Sequence, residues 1–184
     1  MTPEERLELW LTEERNALEA LESGPGPGVA GPSQIAGRTG LEVLLAMMAG
    51  QIPYAEMAKS LTFCAVKMDD GFAAFLGTPK REYLNPMGTI HGGWMTSILD
   101  SALGCAVHSA LPAGQVYTTA GNDIKYVKNL RLHVSRVRAE AWLTGIKGRV
   151  ATAKATLVGP DGTLYAEATT ECRLFEVPAE PKPS

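Results

Sequence analysis

The 184 residues suffice for one domain with a sizeable core and a short extension. Hydrophobic residues make up 45% and charged residues 20%, and a formal net charge of -3 leaves no basic footprint for nucleic acid. Cys64, Cys105 and Cys172 are odd in number and far apart, which fits neither a disulfide framework nor a zinc pattern and points to a reducing, cytoplasmic setting. The acidic N-terminus lacks the n-region and apolar h-region of a signal peptide, and no stretch approaches the roughly 18 uncharged apolar residues of a membrane helix.

Residues 3–22 read as an amphipathic helix: Pro3 suits a first turn, and Leu7, Trp10, Leu11, Leu18 and Leu21 recur at helical spacing. Seven glutamates against two arginines between Glu4 and Glu22 argue against a DNA-binding arm. The arm is either a peripheral cap or, if its apolar stripe meets core or interface, a structural part. Gly24 to Gly28 alternates with proline and reads as a linker. Gly26, Gly28 and Gly31 match G-x-G-x-x-G by pattern, but the strand–turn–helix context of a dinucleotide site is missing. Domain bounds follow: a helix and Gly/Pro linker over 1–37, one domain over 38–176, and a frayed tail over 177–184.

Residues 39–50 form a second short helical pattern ending at a glycine. Leu61–Asp69 and Phe72–Thr78 read as two strands around the turn signal Asp69-Asp70-Gly71. His91 to Ser109, bounded by Gly88 and Pro112, is apolar and rich in small residues, a helix. Four strand-like runs follow: Val116–Val127, His133–Thr144, Val150–Val158 and Leu164–Phe175. Val137, Ala139, Ala141 and Leu143 alternate with Arg136, Arg138, Glu140 and Trp142, the period of a half-buried strand. An antiparallel sheet with one long helix on a face, an α+β arrangement, satisfies this order.

That helix carries the candidate chemistry. Trp94, Met95, Ile98, Leu99, Ala102, Leu103, Ala106 and Val107 cover it nearly all round, so it should be buried. Asp100 is the one formal charge between Tyr83 and Asn122. Burying a carboxylate without compensation costs several kcal/mol, so Asp100 is either a hydrogen-bonded structural group or a functional one. His91-Gly92-Gly93 opens the helix, where backbone N–H groups lack internal partners, the dipole end is positive, and glycine admits a ligand oxygen closely. Such a corner suits a developing oxyanion.

Asn85-Pro-Met-Gly-Thr-Ile-His91-Gly-Gly, with Asp100 nine residues after the histidine, resembles the hotdog-fold acyl-CoA thioesterases of the phenylacetate-degradation (PaaI-like) type. Leu111 to Thr119, Gly148 to Ala153, Asp161-Gly162 and Ala166 to Thr170 resemble the same family, over about residues 38–176. The resemblance implies a curved antiparallel sheet wrapped around one long central helix, preceded here by the N-terminal helical extension. It also implies roles. Asp100 would be nucleophile or general base against the thioester carbonyl, and Gly92 N–H the oxyanion donor. His91 and Asn85 would orient thioester or water, and Thr118 would position the attack, with Thr119 competing for that place. Ala120-Gly-Asn-Asp123 departs from the alternating apolar strand usual in such relatives.

The implied partner is an acyl-CoA substrate, with no cofactor, metal, nucleic acid or membrane, in a homodimer with shared active sites that assembles into a tetramer. Lys125, Lys128, Arg131, Lys147 and Arg149 are candidates for the CoA phosphates or solvated strand faces. A rival class is a non-catalytic acyl-CoA sensor. Cys105 and His108, three apart on the helix, could form a thiolate–imidazole pair but more often are a core thiol and a satisfied histidine. Met47, Met48, Met57 and Met95 read as gap-filling core. No G-x-S-x-G elbow and no metal-ligand spacing among His91, His108 and His133 is present.

Overall fold

Two capping boxes start the N-terminal helices of the computed structural model, which describes residues 1–176; the tail 177–184 lies outside them. Thr2 Oγ1 accepts from Glu5 N–H at 3.2 Å while the Glu5 carboxylate accepts from Thr2 N–H at 2.7 Å, opening α1 (Pro3–Glu22). The single-turn α2 (Pro32–Ile35) follows, then Thr39 and Glu42 repeat the box at α3 (Gly40–Met48). A short α4 (Glu56–Ser60) leads into β1 (Phe63–Asp69) and β2 (Phe72–Gly77). The long helix α5 (Gly92–Ser109) precedes β3 (Gln115–Tyr126), β4 (Val137–Lys147), β5 (Val150–Val158) and β6 (Leu164–Glu176).

Two differences from the sequence reading have plain causes. α2 and α4 are too short to show a helical period. β4 begins at Val137 rather than His133, because residues 131–134 form a turn in which Val134 N–H donates to Arg131 C=O at 3.0 Å and Val134 is buried.

One six-stranded antiparallel sheet runs in the order β1-β2-β4-β5-β6-β3, curved around α5, which packs against all six strands. Register shifts on four strand pairs, at Ala65/Lys67, Thr119/Gly121, Leu143/Gly145 and Leu157/Val158, supply curvature, since an extra residue bends a strand and raises its twist. The face under α5 is built of small residues: Ala139, Ala141, Ala151, Ala153, Ala155 and Ala166 are all 2% exposed or less. Trp94, Ile98, Leu99 and Leu103 fill the space that those alanines leave. Gly77 shows how close the layers come, since a Cβ there would lie 2.8 Å from Ile98 and 3.0 Å from Trp94.

The outer face is covered at one end by α1. Cys64, Leu76 and Arg138 form a row across β1, β2 and β4, facing away from α5. Leu76 is fully buried, and Arg138 lies with its guanidinium 5.9 Å from the Trp10 ring centroid. Arg138 also pairs with Glu13 and Glu140, and Arg136 pairs with Glu14 at 2.8 Å. Thus two of the arm's seven glutamates are clasps, and Arg138, on the polar face of the β4 alternation, is buried with its charge compensated. The arm is structural rather than a peripheral cap. Removing residues 1–24 should lower both soluble yield and Tm, and Trp10→Ala alone should destabilise by about 3–5 kcal/mol in a denaturant melt. A truncated chain melting at the full-length temperature would show that α1 contributes nothing to the fold.

Candidate active site

A tight loop presents the start of α5. Asn85 Oδ1 accepts from Met87 N–H at 2.9 Å and Thr89 N–H at 3.2 Å, its Nδ2 donates to Thr89 Oγ1 at 2.9 Å, and Gly88 takes a φ of +76° between them. Asn85 therefore shapes the approach to the helix with both ends of its amide in use. His91, exposed, is the N-cap: its Nδ1 accepts from Gly93 N–H at 2.9 Å. Gly92 N–H has no hydrogen-bond partner among the described residues. It is the donor left free at the positive end of an 18-residue helix.

Asp100 lies two turns further on, half-buried on the face of α5 that meets β3. Its Oδ1 accepts from Asn122 Nδ2 at 2.8 Å and Thr119 Oγ1 at 3.1 Å; Oδ2 has no partner among the described residues. One oxygen is held and the other is available. The β3 bulge makes this possible. Thr119 pairs with Cys172 and Gly121 with Glu171, so Ala120 is the extra residue. It inverts the strand's alternation, and Thr119 and Asn122, three residues apart, both face the carboxylate. Thr118 is on the opposite, exposed side. Asn122 was missed from sequence. The signal was the polar Ala120-Gly-Asn-Asp123 stretch, where an amide interrupts a strand beside the helix.

Below Asp100 is an apolar cavity of about 220 Å³ whose walls include Ser101, Cys105, Tyr117, Phe63, Phe75, Met47 and Met48. Met47 and Met48 pack against the core and also line this hollow. Met95 is core, and Met57 is exposed. The cations do not form one patch. By strand register, Lys147 and Arg149 sit at the end of the sheet near Gln115, whereas Lys128 and Arg131 flank Leu130, whose C=O accepts from Ile90 N–H at 2.9 Å beside His91. Lys125 is paired with Glu167 at 3.0 Å.

Cys105 and His108 do not assemble a nucleophilic pair. Burial, and secondarily the Asp100 carboxylate, pushes the Cys105 thiol up to about 12, so no thiolate forms at neutral pH. His108 Nδ1 is buried without a hydrogen-bond partner, and burial lowers its basicity. No group of three or more metal-capable side chains exists among the described residues, and no helix there is long and apolar enough to cross a membrane. Burial also raises Cys64 to about 12 and raises Cys172. All three thiols should resist a neutral disulfide reagent at pH 7 in the native protein and react once it is unfolded. Rapid native labelling of Cys105 would bring the thiol chemistry back.

Comparison with known proteins adds a family-model match over part of the chain and a set of similar folds. Residues 87–166 match the family model of the thioesterase superfamily. A phenylacetic acid degradation-related protein from Ralstonia eutropha JMP134 is similar in structure at TM-score 0.64 and 24% identity, over 70% of this chain and 97% of that one. The E. coli PaaI protein, from the phenylacetic acid degradation operon, superposes at TM-score 0.60 and 20% identity, over 66% of this chain and 85% of the other. A mutant of the phenylacetic acid degradation protein PaaI from Thermus thermophilus gives 0.57 and 24%, over 64% and 96%. No curated protein matches the chain.

Proposed function

We propose that the chain, which has the fold of the hotdog structures it superposes on and matches the thioesterase superfamily model over residues 87–166, hydrolyses an acyl- or aryl-CoA to the free acid and CoA. The observation that carries this reading is the state of Asp100, which has one oxygen fixed by Thr119 and Asn122 and the other open above an apolar cavity. Oδ2 either attacks the thioester carbon, expelling CoA thiolate and leaving an anhydride for water to open, or takes a proton from the water that attacks. In both routes the carbonyl oxygen gains negative charge and needs a donor, the role given to Gly92 N–H. Asn85 and His91 hold that donor's loop and cap in place.

One chain cannot supply both groups to one carbonyl. Gly92 and Asp100 lie about 12 Å apart along α5 at roughly 1.5 Å per residue, whereas both must come within about 3 Å of the reacting group. A second copy supplies the missing half when two α5 helices pack antiparallel across a two-fold axis, each Gly92 N–H facing the other chain's Asp100. The edge of β3, unpaired among the described residues and largely exposed, supports such pairing. The uncovered outer face carrying Thr152, Lys154 and Thr169 supports assembly of two dimers into a tetramer.

Asp100→Asn should keep the fold and acyl-CoA binding while losing on the order of 10²-fold or more in kcat. Binding by the wild type without CoA release in a thiol-reagent assay would make the protein a sensor instead. Thr119→Val should lower kcat and Thr118→Val leave it near wild type; the reverse order would give the positioning hydroxyl to Thr118.

Complementation tests the sharing. A Cβ at Gly92 would come 2.9 Å from the half-exposed Tyr126 ring, so Gly92→Pro removes the N–H and also displaces that ring. Gly92→Ala is the control, since it keeps the N–H and repeats the crowding. Mixing Gly92→Pro with Asp100→Ala chains should restore roughly a quarter of wild-type activity: half the dimers are mixed, each with one intact site of two. Verified mixed dimers without activity would place the site within one chain.

A further inference from the structure

The arm that covers the outer sheet face also borders the apolar cavity. Leu21, Tyr54, Ala58, Phe63 and Cys64 line that cavity and also a second groove of about 360 Å³ between α1 and α4. These five residues border both spaces, Phe63 from the inner and Cys64 from the outer face of β1, and from them the groove extends past Leu18 toward Glu14, Glu22 and Lys59. Three separate elements supply its walls: α1, the Tyr54–Ala58 segment with α4, and β1. Two of the five side chains, Ala58 and Cys64, are small. Asp100 stands at the inner end, where the thioester would be cleaved.

We infer that cavity and groove form one acyl channel gated by Leu21, and that the substrates are CoA thioesters of linear, uncharged acyl chains long enough to pass that gate. This rests on the thioesterase reading of Asp100. A compact aryl group would occupy the inner cavity alone and leave the groove unused, whereas a linear chain exchanges water for apolar wall in both. Asp100 is the only charged residue lining the inner cavity among the described residues, so a terminal carboxylate on the acyl chain would find no cation there. At the outer mouth Glu14 is already paired with Arg136 and Glu22 offsets Lys59, so no net positive charge is offered to an anionic terminus. The Glu13 and Glu14 clasps to Arg138 and Arg136 hold α1, and hence Leu21, as a fixed wall. The N-terminal extension would then set chain length for a site whose chemistry lies on α5 and β3.

The test compares kcat/KM for hexanoyl-, dodecanoyl-, hexadecanoyl- and phenylacetyl-CoA in the wild type, Leu21→Trp, Ala58→Met and Leu21→Ala, each verified as folded by thermal melt. Wild type should prefer dodecanoyl- over hexanoyl- and phenylacetyl-CoA. Leu21→Trp from α1 and Ala58→Met from α4 should each lower the dodecanoyl-to-hexanoyl ratio by about tenfold or more, since even one methylene seated in an apolar pocket is worth on the order of tenfold. Leu21→Ala should move the preference toward hexadecanoyl-CoA. A wild type that favours phenylacetyl- or hexanoyl-CoA, or folded variants with an unchanged ratio, would overturn the channel. Calorimetric titration of the Asp100→Asn protein with the same series separates this from the parent reading. If wild type cleaves no thioester but binding tightens with chain length and Leu21→Trp on that background abolishes the gain, the hydrolase fails and the channel stands. Binding indifferent to chain length would remove the channel whether or not hydrolysis occurs.

Discussion

Enclosing α5 is the constraint on which the rest of the structure depends. A helix apolar over most of its circumference, with only the stripe through Ser97, Asp100 and Ser101 partly exposed, cannot sit on a flat sheet, so the sheet must curl around it. Alanines on the inner face let the helix approach, and register shifts on four strand pairs supply the bend. The lone carboxylate on this helix must then be dealt with. Asp100 is placed where the edge strand passes, met there by one hydroxyl and one amide, neither of which carries charge. Neutral donors compensate the ion without an ion pair, leaving its second oxygen free of a partner that would have to be displaced.

The same geometry divides labour along the helix. Its first turn presents a free N–H, its middle presents the carboxylate, and its last two turns face Tyr117 and the cavity. β3 runs alongside in the opposite direction, so Tyr126 lies at Gly92, Thr119 and Asn122 at Asp100, and Tyr117 at Gly104. Each station on the helix has its own station on the strand. The sheet's far end belongs to α1, whose charged clasps and Trp10 make the outer side of β2 as dry as the inner side.

Much of this was legible because period and punctuation agreed. Pro3 with its leucine spacing, the Asp-Asp-Gly turn and the alternation of β4 each point to their element by local rules, and α5 announces itself by apolar residues nearly all round. The Asn85, His91-Gly92-Gly93 and Asp100 spacing gave the family resemblance and, with it, the fold. What stayed hidden depended on contacts distant in sequence. Arg138 reads as a solvent-facing residue of an alternating strand until a helix more than a hundred residues earlier covers it. Asn122 reads as a departure from pattern because a bulge, which inverts the alternation by one unpaired residue, has no reliable signature in Ala-Gly-Asn. Met47 and Met48 read as core, and sequence does not show that a residue packed against the core also walls a hollow.

The two side chains that hold Asp100 both sit on β3, and β3 is bonded to the sheet through β6 alone. Edge strands open at a fraction of the free energy needed to unfold the whole domain. Within a single chain the carboxylate's anchorage therefore rests on one of the two edge strands of the sheet. Amide exchange should be fastest along this strand, and heat should disarm Asp100 while α5 and the alanine face beneath it remain intact. The melting temperature of the domain and the temperature at which its reactive oxygen loses its orientation are therefore two different quantities, to be measured separately.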